Sequence, residues 1–138
     1  MWLEANMKIH LNLGVSELEK SVAFYRTLLN LDPAKQLSDY ALFIGDDPGI
    51  ELALDLDAAA TADLSAHFGI VVETADAVKE ATLRLKSAGY RADVETDETC
   101  CYARQTKVWT SDPDGRRWET YVVHEDTDER DDSSCCVA

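Results

Sequence analysis

Apolar and polar residues alternate strictly near the start of the chain. Ile9, Leu11, Leu13 and Val15 are separated by His10, Asn12 and Gly14, the period of two that marks a strand with one apolar face. The period then changes. Leu18, Val22, Tyr25 and Leu29 recur at helical spacing, so a helix is predicted from Ser16, with Glu19 three residues on completing a capping box. Two strands follow, Tyr40 to Gly45 and Ile50 to Leu56, joined through Asp46-Asp47-Pro48-Gly49, a cluster of turn formers. The same order then recurs. Phe68, Ile70 and Val72 share a strand face opposite His67. Val78, Ala81, Leu85 and Ala88 form the stripe of a helix from about Ala75 to Ala88, and Gly89 is its stop signal. A second hairpin runs from Thr106 to Ser111 and from Arg117 to Val123, around Asp112-Pro113-Asp114-Gly115.

The chain therefore reads as a diverged repeat, each copy a strand, a helix and then further strands. Module one is expected over 7–56, a linker of Asp, Ala, Thr and Ser over 57–66, and module two over 67–124, together one domain. Residues 1–6 read as an extension without structure, since Met7 would also serve as a start. Residues 125–138 read as a disordered acidic tail that ends in a cysteine pair. Spacing locates a difference between the copies. His10 to His67 spans 57 positions and Glu51 to Glu119 spans 68, so copy two is longer by 11 between these landmarks. The excess falls around Asp97 to Gln105, the stretch that holds Cys100 and Cys101. An insertion that carries the reactive groups of its module looks like a grafted functional loop.

Composition narrows the partners. A formal net charge of -14 over 138 residues excludes nucleic acid and anionic membranes as natural partners, since both need basic patches. The apolar runs are too short to span a bilayer. Met1 to Asn6 has neither a basic start nor an apolar stretch, so a cytoplasmic protein with reduced thiols is expected. The chain is expected to act as a monomer or homodimer.

His10 and His67 fall at equivalent places, each on the polar face of an opening strand. Glu119 lies on the last strand, opposite in parity to Trp118 and Thr120. A single strand histidine is usually just a satisfied polar residue, and a strand glutamate normally faces water. Two of three histidines at repeat-equivalent positions, with a glutamate of matching parity, point to metal ligands. Two histidines and one carboxylate form the facial set of non-haem Fe(II), although Mn, Co, Ni or Zn also suit it. Glu51, set in Ile50-Glu51-Leu52, is the rival: equated with Glu119 by the repeat, it is a possible fourth ligand. A fourth ligand would favour a Lewis-acid isomerase over an oxygenase. His124, at the strand end, is read as exposed.

The four cysteines form two adjacent pairs, Cys100–Cys101 and Cys135–Cys136. This is neither zinc-ribbon spacing nor a disulfide framework, because adjacent cysteines bridge only with strain. Neighbours on a regular strand point to opposite faces, so a working pair at 100–101 needs a turn or loop. Two thiolates hold a soft centre far better than a hard one. A trivalent arsenical exchanges both its hydroxyls for thiolates and keeps its organic group. Two packed cysteines at a strand end are the plainer alternative.

The repeat with His10, His67 and Glu119 resembles the vicinal-oxygen-chelate superfamily of glyoxalases and extradiol dioxygenases. More narrowly, the stretch Thr99-Cys100-Cys101-Tyr102-Ala103, Gln105, Lys107-Val108-Trp109, Asp112-Pro113-Asp114-Gly115 and Trp118-Glu119 resembles arsenic–carbon bond lyases and their cadmium-induced relatives. The segments Leu13-Gly14-Val15 and Leu18 to Tyr25, and the tail Asp132-Ser133-Ser134-Cys135-Cys136, agree with it. The resemblance covers residues 7–123. It implies an α+β fold of two βαβββ modules that form a curled, barrel-like mixed sheet with helices outside. It also implies an Fe(II)- and O2-dependent enzyme that cleaves the carbon–arsenic bond of methylarsenite and trivalent aromatic arsenicals, giving arsenite. His10, His67 and Glu119 would then be the catalytic metal ligands, Cys100 and Cys101 the arsenic ligands, and Cys135 and Cys136 an auxiliary capture site. Ile50-Glu51-Leu52 departs from that pattern towards the glyoxalases. Two further readings stand beside it: a glyoxalase-like isomerase or extradiol dioxygenase, and a non-catalytic arsenic- or cadmium-binding protein.

Overall fold

A computed structural model describes residues 7–100 and 103–126, with the side chains of 97–100, 103 and 126 left aside. The expectations for residues 1–6, Cys101, Cys135, Cys136 and most of the tail lie outside the described residues. The chain divides between Thr61 and Ala62 into two units, one for each copy of the repeat.

The first unit runs β1 (Ile9–Val15), α1 (Leu18–Leu29), β2 (Lys35–Gln36), β3 (Tyr40–Asp46) and β4 (Gly49–Leu56). Its sheet has the order β1-β4-β3-β2. β1 is parallel to β4, and the other pairs are antiparallel. Alternation sends Ile50, Leu52 and Leu54 of β4, with Ala41 and Phe43 of β3, into the core with Phe24, Tyr25, Leu28 and Leu29 of α1. The helix begins later than the capping box predicts. Its N-cap is Glu17, in an extended conformation and with no side-chain capping bond, so Glu19 falls in the first turn and not at the closing position of a box. It ends where Asn30 adopts the left-handed conformation and returns its N–H to Arg26 O, a conformation asparagine tolerates.

The second unit repeats the topology: β5 (His67–Val71), α2 (Ala75–Ser87), β6 (Asp93–Cys100), β7 (Ala103–Ser111) and β8 (Arg117–Asp126), in the order β5-β8-β7-β6. β5 is parallel to β8, and the other pairs are antiparallel. Thr74 caps α2 by accepting from Ala77 N–H. Gly89, at φ 86°, closes the helix. Its N–H reaches Lys86 O and the Tyr90 N–H reaches Leu85 O, the paired bonds of a Schellman stop. Val78, Ala81 and Leu85 of α2 pack on Val108 and Val122, with Tyr90 against the same cluster. Each unit is thus a βαβββ module, and the α+β class follows from one helix on one face of each four-stranded mixed sheet.

The two units differ where spacing places the excess. β6 has eight residues and β7 nine, where β2 has two and β3 seven. The stretch expected as a loop around Asp97 to Gln105 is therefore largely strand. β6 bulges between Glu95 and Glu98, then pairs Cys100 with Ala103. β8 continues to Asp126, past the expected domain edge, because β7 extends far enough to pair Ala103 with it.

Candidate functional site

Each unit carries a histidine–glutamate pair on the sheet face turned away from its helix. In the first, β1 and β4 lie in parallel register with His10 opposite Glu51, and His10 Nδ1 stands 3.0 Å from Glu51 Oε1. On the same row Asn12 Nδ2 donates to Asp55 Oδ2 at 2.8 Å. Both members of the His10–Glu51 pair are exposed by about half.

In the second unit His67 Nε2 stands 3.2 Å from Glu119 Oε2. This pair is set differently. His67 lies opposite Arg117, and Glu119 lies opposite Gly69. Counting along the repeat equates Glu51 with Glu119, but the register equates Glu51 with Arg117 and puts Glu119 two positions further on. The strand period of two keeps Glu119 on the face of His67 all the same. Gly69 leaves the room it needs. A Cβ there would stand 3.1 Å from Glu119 Cγ and 3.0 Å from Tyr121 Cε1.

The register of β8 is fixed by the turn that precedes it. Asp112 Oδ1 accepts from the N–H groups of Asp114 and Arg116, both at 2.9 Å, and its Oδ2 accepts from Arg116 Nη1 at 3.1 Å. Gly115 holds φ 94° in the middle, a conformation that glycine adopts without strain. Five residues, 112–116, are thereby locked, and Arg117 and Glu119 emerge from a rigid base.

Unlike Glu51, Glu119 is buried, with 8% of its side chain exposed. Its second oxygen lies 3.4 Å from the buried Lys107 Nζ. Lys107 sits over the rings of Trp109 and Tyr121, 5.5 Å from each centroid. Trp109 also meets His67 edge-on at 5.2 Å and carries the Arg117 guanidinium at 4.2 Å. Trp109 Nε1 is buried and has no hydrogen-bond partner among the described residues. Burial first, and then the Glu119 carboxylate, push the Tyr121 phenol above its usual range, so it is held as a neutral hydroxyl at neutral pH.

Lys107, Trp109, Arg117 and Tyr121 were not among the site residues read from the sequence. The signal was there: β7 alternates Gln105, Lys107, Trp109 against Thr106, Val108, and β8 alternates Arg117, Glu119, Tyr121 against Trp118, Thr120. Register sets these two rows side by side, with Trp109 opposite Glu119 and Lys107 opposite Tyr121. Cys100 ends β6 in register with Ala103 at the start of β7. His124, exposed as expected, forms a 2.7 Å bond between its Nε2 and Thr106 Oγ1.

Imidazole nitrogen and carboxylate oxygen are donor types that hold divalent metals, and each pair stands here at hydrogen-bond distance. In neither unit do three or more His, Cys, Asp or Glu groups gather for an ion among the described residues. No helix among them is long and apolar enough to cross a membrane.

Comparison with known proteins agrees with this architecture. The family model of the Glyoxalase/Bleomycin resistance protein/Dioxygenase superfamily matches residues 9–120. The chain is 41% identical over 133 residues to the "Trivalent organoarsenical cleaving enzyme" of Thermomonospora curvata, covering 94% of this chain and 88% of that protein. It is 36% identical over 141 residues to the "Cadmium-induced protein CadI" of Mycobacterium tuberculosis H37Rv, covering 94% and 92%. Among solved structures, a glyoxalase/bleomycin resistance protein/dioxygenase from Alicyclobacillus acidocaldarius superposes with a TM-score of 0.71 at 20% identity, over 87% of this chain and 93% of that one. Two βαβββ modules, each with a His–Glu pair on its open sheet face, are thus the form that the Glyoxalase/Bleomycin resistance protein/Dioxygenase superfamily takes here, and the chain belongs to that superfamily.

Proposed function

We propose that this protein cleaves the carbon–arsenic bond of trivalent organoarsenicals and releases arsenite, using Fe(II) and O2. The observation that carries the reading is the composition of one sheet. The buried Glu119 with His67, and the strand end at Cys100, belong to the same four-stranded sheet. A hard-ligand pair and a soft-ligand pair in one module suit a substrate with one soft atom and a reaction at a metal. The relatives named as organoarsenical cleaving enzymes support the same substrate class.

His10, His67 and Glu119 are the proposed metal ligands, and divalent metals are general in the superfamily. Iron, when bound, would supply the activation of O2. The protein's own residues do the rest. Lys107 fixes the carboxylate of Glu119 in one orientation, and Gly69 gives that carboxylate its space. Trp109 fixes the His67 ring by edge contact. Cys100 and Cys101 take the arsenic as thiolates, replacing its two hydroxyls and leaving the As–C bond as the part that varies. Holding that bond in place converts an encounter into an oriented reaction. The balance for methylarsenite is CH3As(OH)2 plus O2 giving As(OH)3 plus formaldehyde: arsenic stays trivalent, carbon is oxidised and O2 is the oxidant. Cys135 and Cys136 are proposed as an auxiliary capture pair on the tail.

A second reading rests on one contact. His10 stands 3.0 Å from Glu51, which supports Glu51 as a fourth ligand, as in a glyoxalase-like isomerase. The two are separated by O2 uptake during arsenical turnover. Uptake with stoichiometric arsenite release supports the lyase, and conversion of a substrate without uptake supports the isomerase.

A further inference from the structure

One buried donor of the second unit has no acceptor. Trp109 is 4% exposed, and its Nε1 has no hydrogen-bond partner among the described residues. An indole N–H can only donate, and burying it unbonded costs its hydration with nothing in return. A phenylalanine would fill the place against His67 without that cost. The ring is also held where it is. It meets His67 at 5.2 Å, carries the Arg117 guanidinium at 4.2 Å and has Lys107 Nζ 5.5 Å from its centroid. An acceptor must therefore come to the ring. Glu119 is placed to do so. It lies directly opposite Trp109 in the antiparallel pair of β7 and β8, where facing Cβ atoms stand about 5 Å apart. Its own contacts are long, with Oε1 3.4 Å from Lys107 Nζ and Oε2 3.2 Å from His67 Nε2. A carboxylate oxygen accepts from more than one donor, so Lys107 does not fill Oε1.

We propose that Trp109 is a positioning residue whose indole N–H donates to Glu119 Oε1 when a divalent metal binds His67 and Glu119, holding the carboxylate as a one-oxygen ligand. The inference rests on the reading of these two residues as metal ligands and names what orients one of them. Metal binding itself supplies the reason for the new bond. The present contact holds Oε2 towards the imidazole. Once both atoms give their lone pairs to a cation, that contact ends and the carboxylate is released to turn. Ligating carboxylates are themselves hydrogen-bonded, which fixes their orientation and raises metal affinity. An N–H that is orphaned before binding and bonded after it favours uptake of the metal, because its desolvation weighs on the unloaded site alone.

The test uses the full chain and zinc, a diamagnetic ion that takes the same donors. The chain has three tryptophans, Trp2, Trp109 and Trp118, so Trp109→Phe assigns the Trp109 indole signal in the NMR spectrum of isotope-labelled protein. Stoichiometric zinc should move that indole proton downfield, as a newly formed hydrogen bond does. Trp109 is then replaced by 3-benzothienylalanine, which keeps the shape of the ring and exchanges the N–H for sulfur. This isostere should bind zinc about tenfold more weakly, measured in competition with a chromophoric chelator. Its metal-free form should melt no lower than wild type. An indole signal that zinc leaves in place, or an isostere that binds zinc as wild type does, overturns the inference and leaves the metal ligands standing. A metal-free isostere that melts lower overturns it too, because the N–H would already be bonded. A signal that moves with phenylarsenous acid and not with zinc assigns the donor to the substrate and overturns it. Zinc that fails to bind removes the metal-ligand reading and this inference together.

Discussion

Lys107→Met tests whether Glu119 is held as a charged group in a dry place. Lys107 is 1% exposed and Glu119 6%, so their 3.4 Å contact is largely removed from water. Breaking a buried pair costs about 3–5 kcal/mol, because the remaining charge is left uncompensated. Two observations place this case at the lower end. The contact is long for a charged hydrogen bond, and His67 Nε2 lies 3.2 Å from the other oxygen and shares the load. Methionine retains the apolar stem, so packing is largely kept, while the contacts to Trp109 and Tyr121 lose about 0.5–1 kcal/mol each. The sum is about 4–5 kcal/mol, or roughly 15 °C in Tm for a domain of this size. Urea denaturation of metal-free protein measures it. The decisive comparison is the double variant Lys107→Met with Glu119→Gln, which removes the stranded charge. It should be more stable than Lys107→Met alone. If the two substitutions add, or if Lys107→Met costs less than 1 kcal/mol, Glu119 is not held by this pair, and the site is wetter than its burial implies.

Three further perturbations address the site from other sides. Gly69→Ala puts a methyl 3.1 Å from Glu119 Cγ. It should cost roughly 1–3 kcal/mol by overpacking and weaken divalent metal binding, and an unchanged metal affinity in dialysis would contradict the placement of Glu119. Cys100→Ser and Cys101→Ser should each lose most affinity for phenylarsenous acid, with the double variant little worse, because the second As–S bond forms at high effective concentration. Single variants that bind as wild type does would end the chelate idea. His10→Ala should lose metal and turnover while Glu51→Gln keeps both. Loss of metal in Glu51→Gln, by elemental analysis, would instead support the four-ligand site.

Much of the fold is legible in the alternation itself. Ile9 to Val15 and Phe68 to Val72 give their strands by period two, and Val78 to Ala88 gives a helix with Gly89 as its stop. What escapes is held by pairing and not by pattern. Asp93 to Cys100 has no apolar alternation, so β6 looks like a loop, and only its ladder with β7 makes it a strand. Lys35–Gln36 is too short to show any period. The start of α1 slips from Ser16 because the N-cap falls one residue on, at Glu17, which puts Glu19 in the first turn and not at the closing position of a box. The site follows the same division. Parity alone puts His67 and Glu119 on one strand face, as their contact does, but the equation of Glu51 with Glu119 does not hold in the strand register, which does not follow the count along the chain. Lys107 is hidden for another reason. A lysine is among the residues least often buried, and nothing in its neighbours along the chain announces Glu119 across the sheet.

The central claim is bond cleavage, and arsenic speciation tests it most directly. Protein purified without oxygen and reconstituted with Fe(II) is mixed with methylarsenite in air, and arsenite is separated and quantified by mass spectrometry alongside O2 uptake. The account predicts one arsenite and one formaldehyde for each O2 consumed, with no arsenite when Fe(II) or O2 is withheld. Methylarsenite recovered intact, bound to the protein or free, would contradict it.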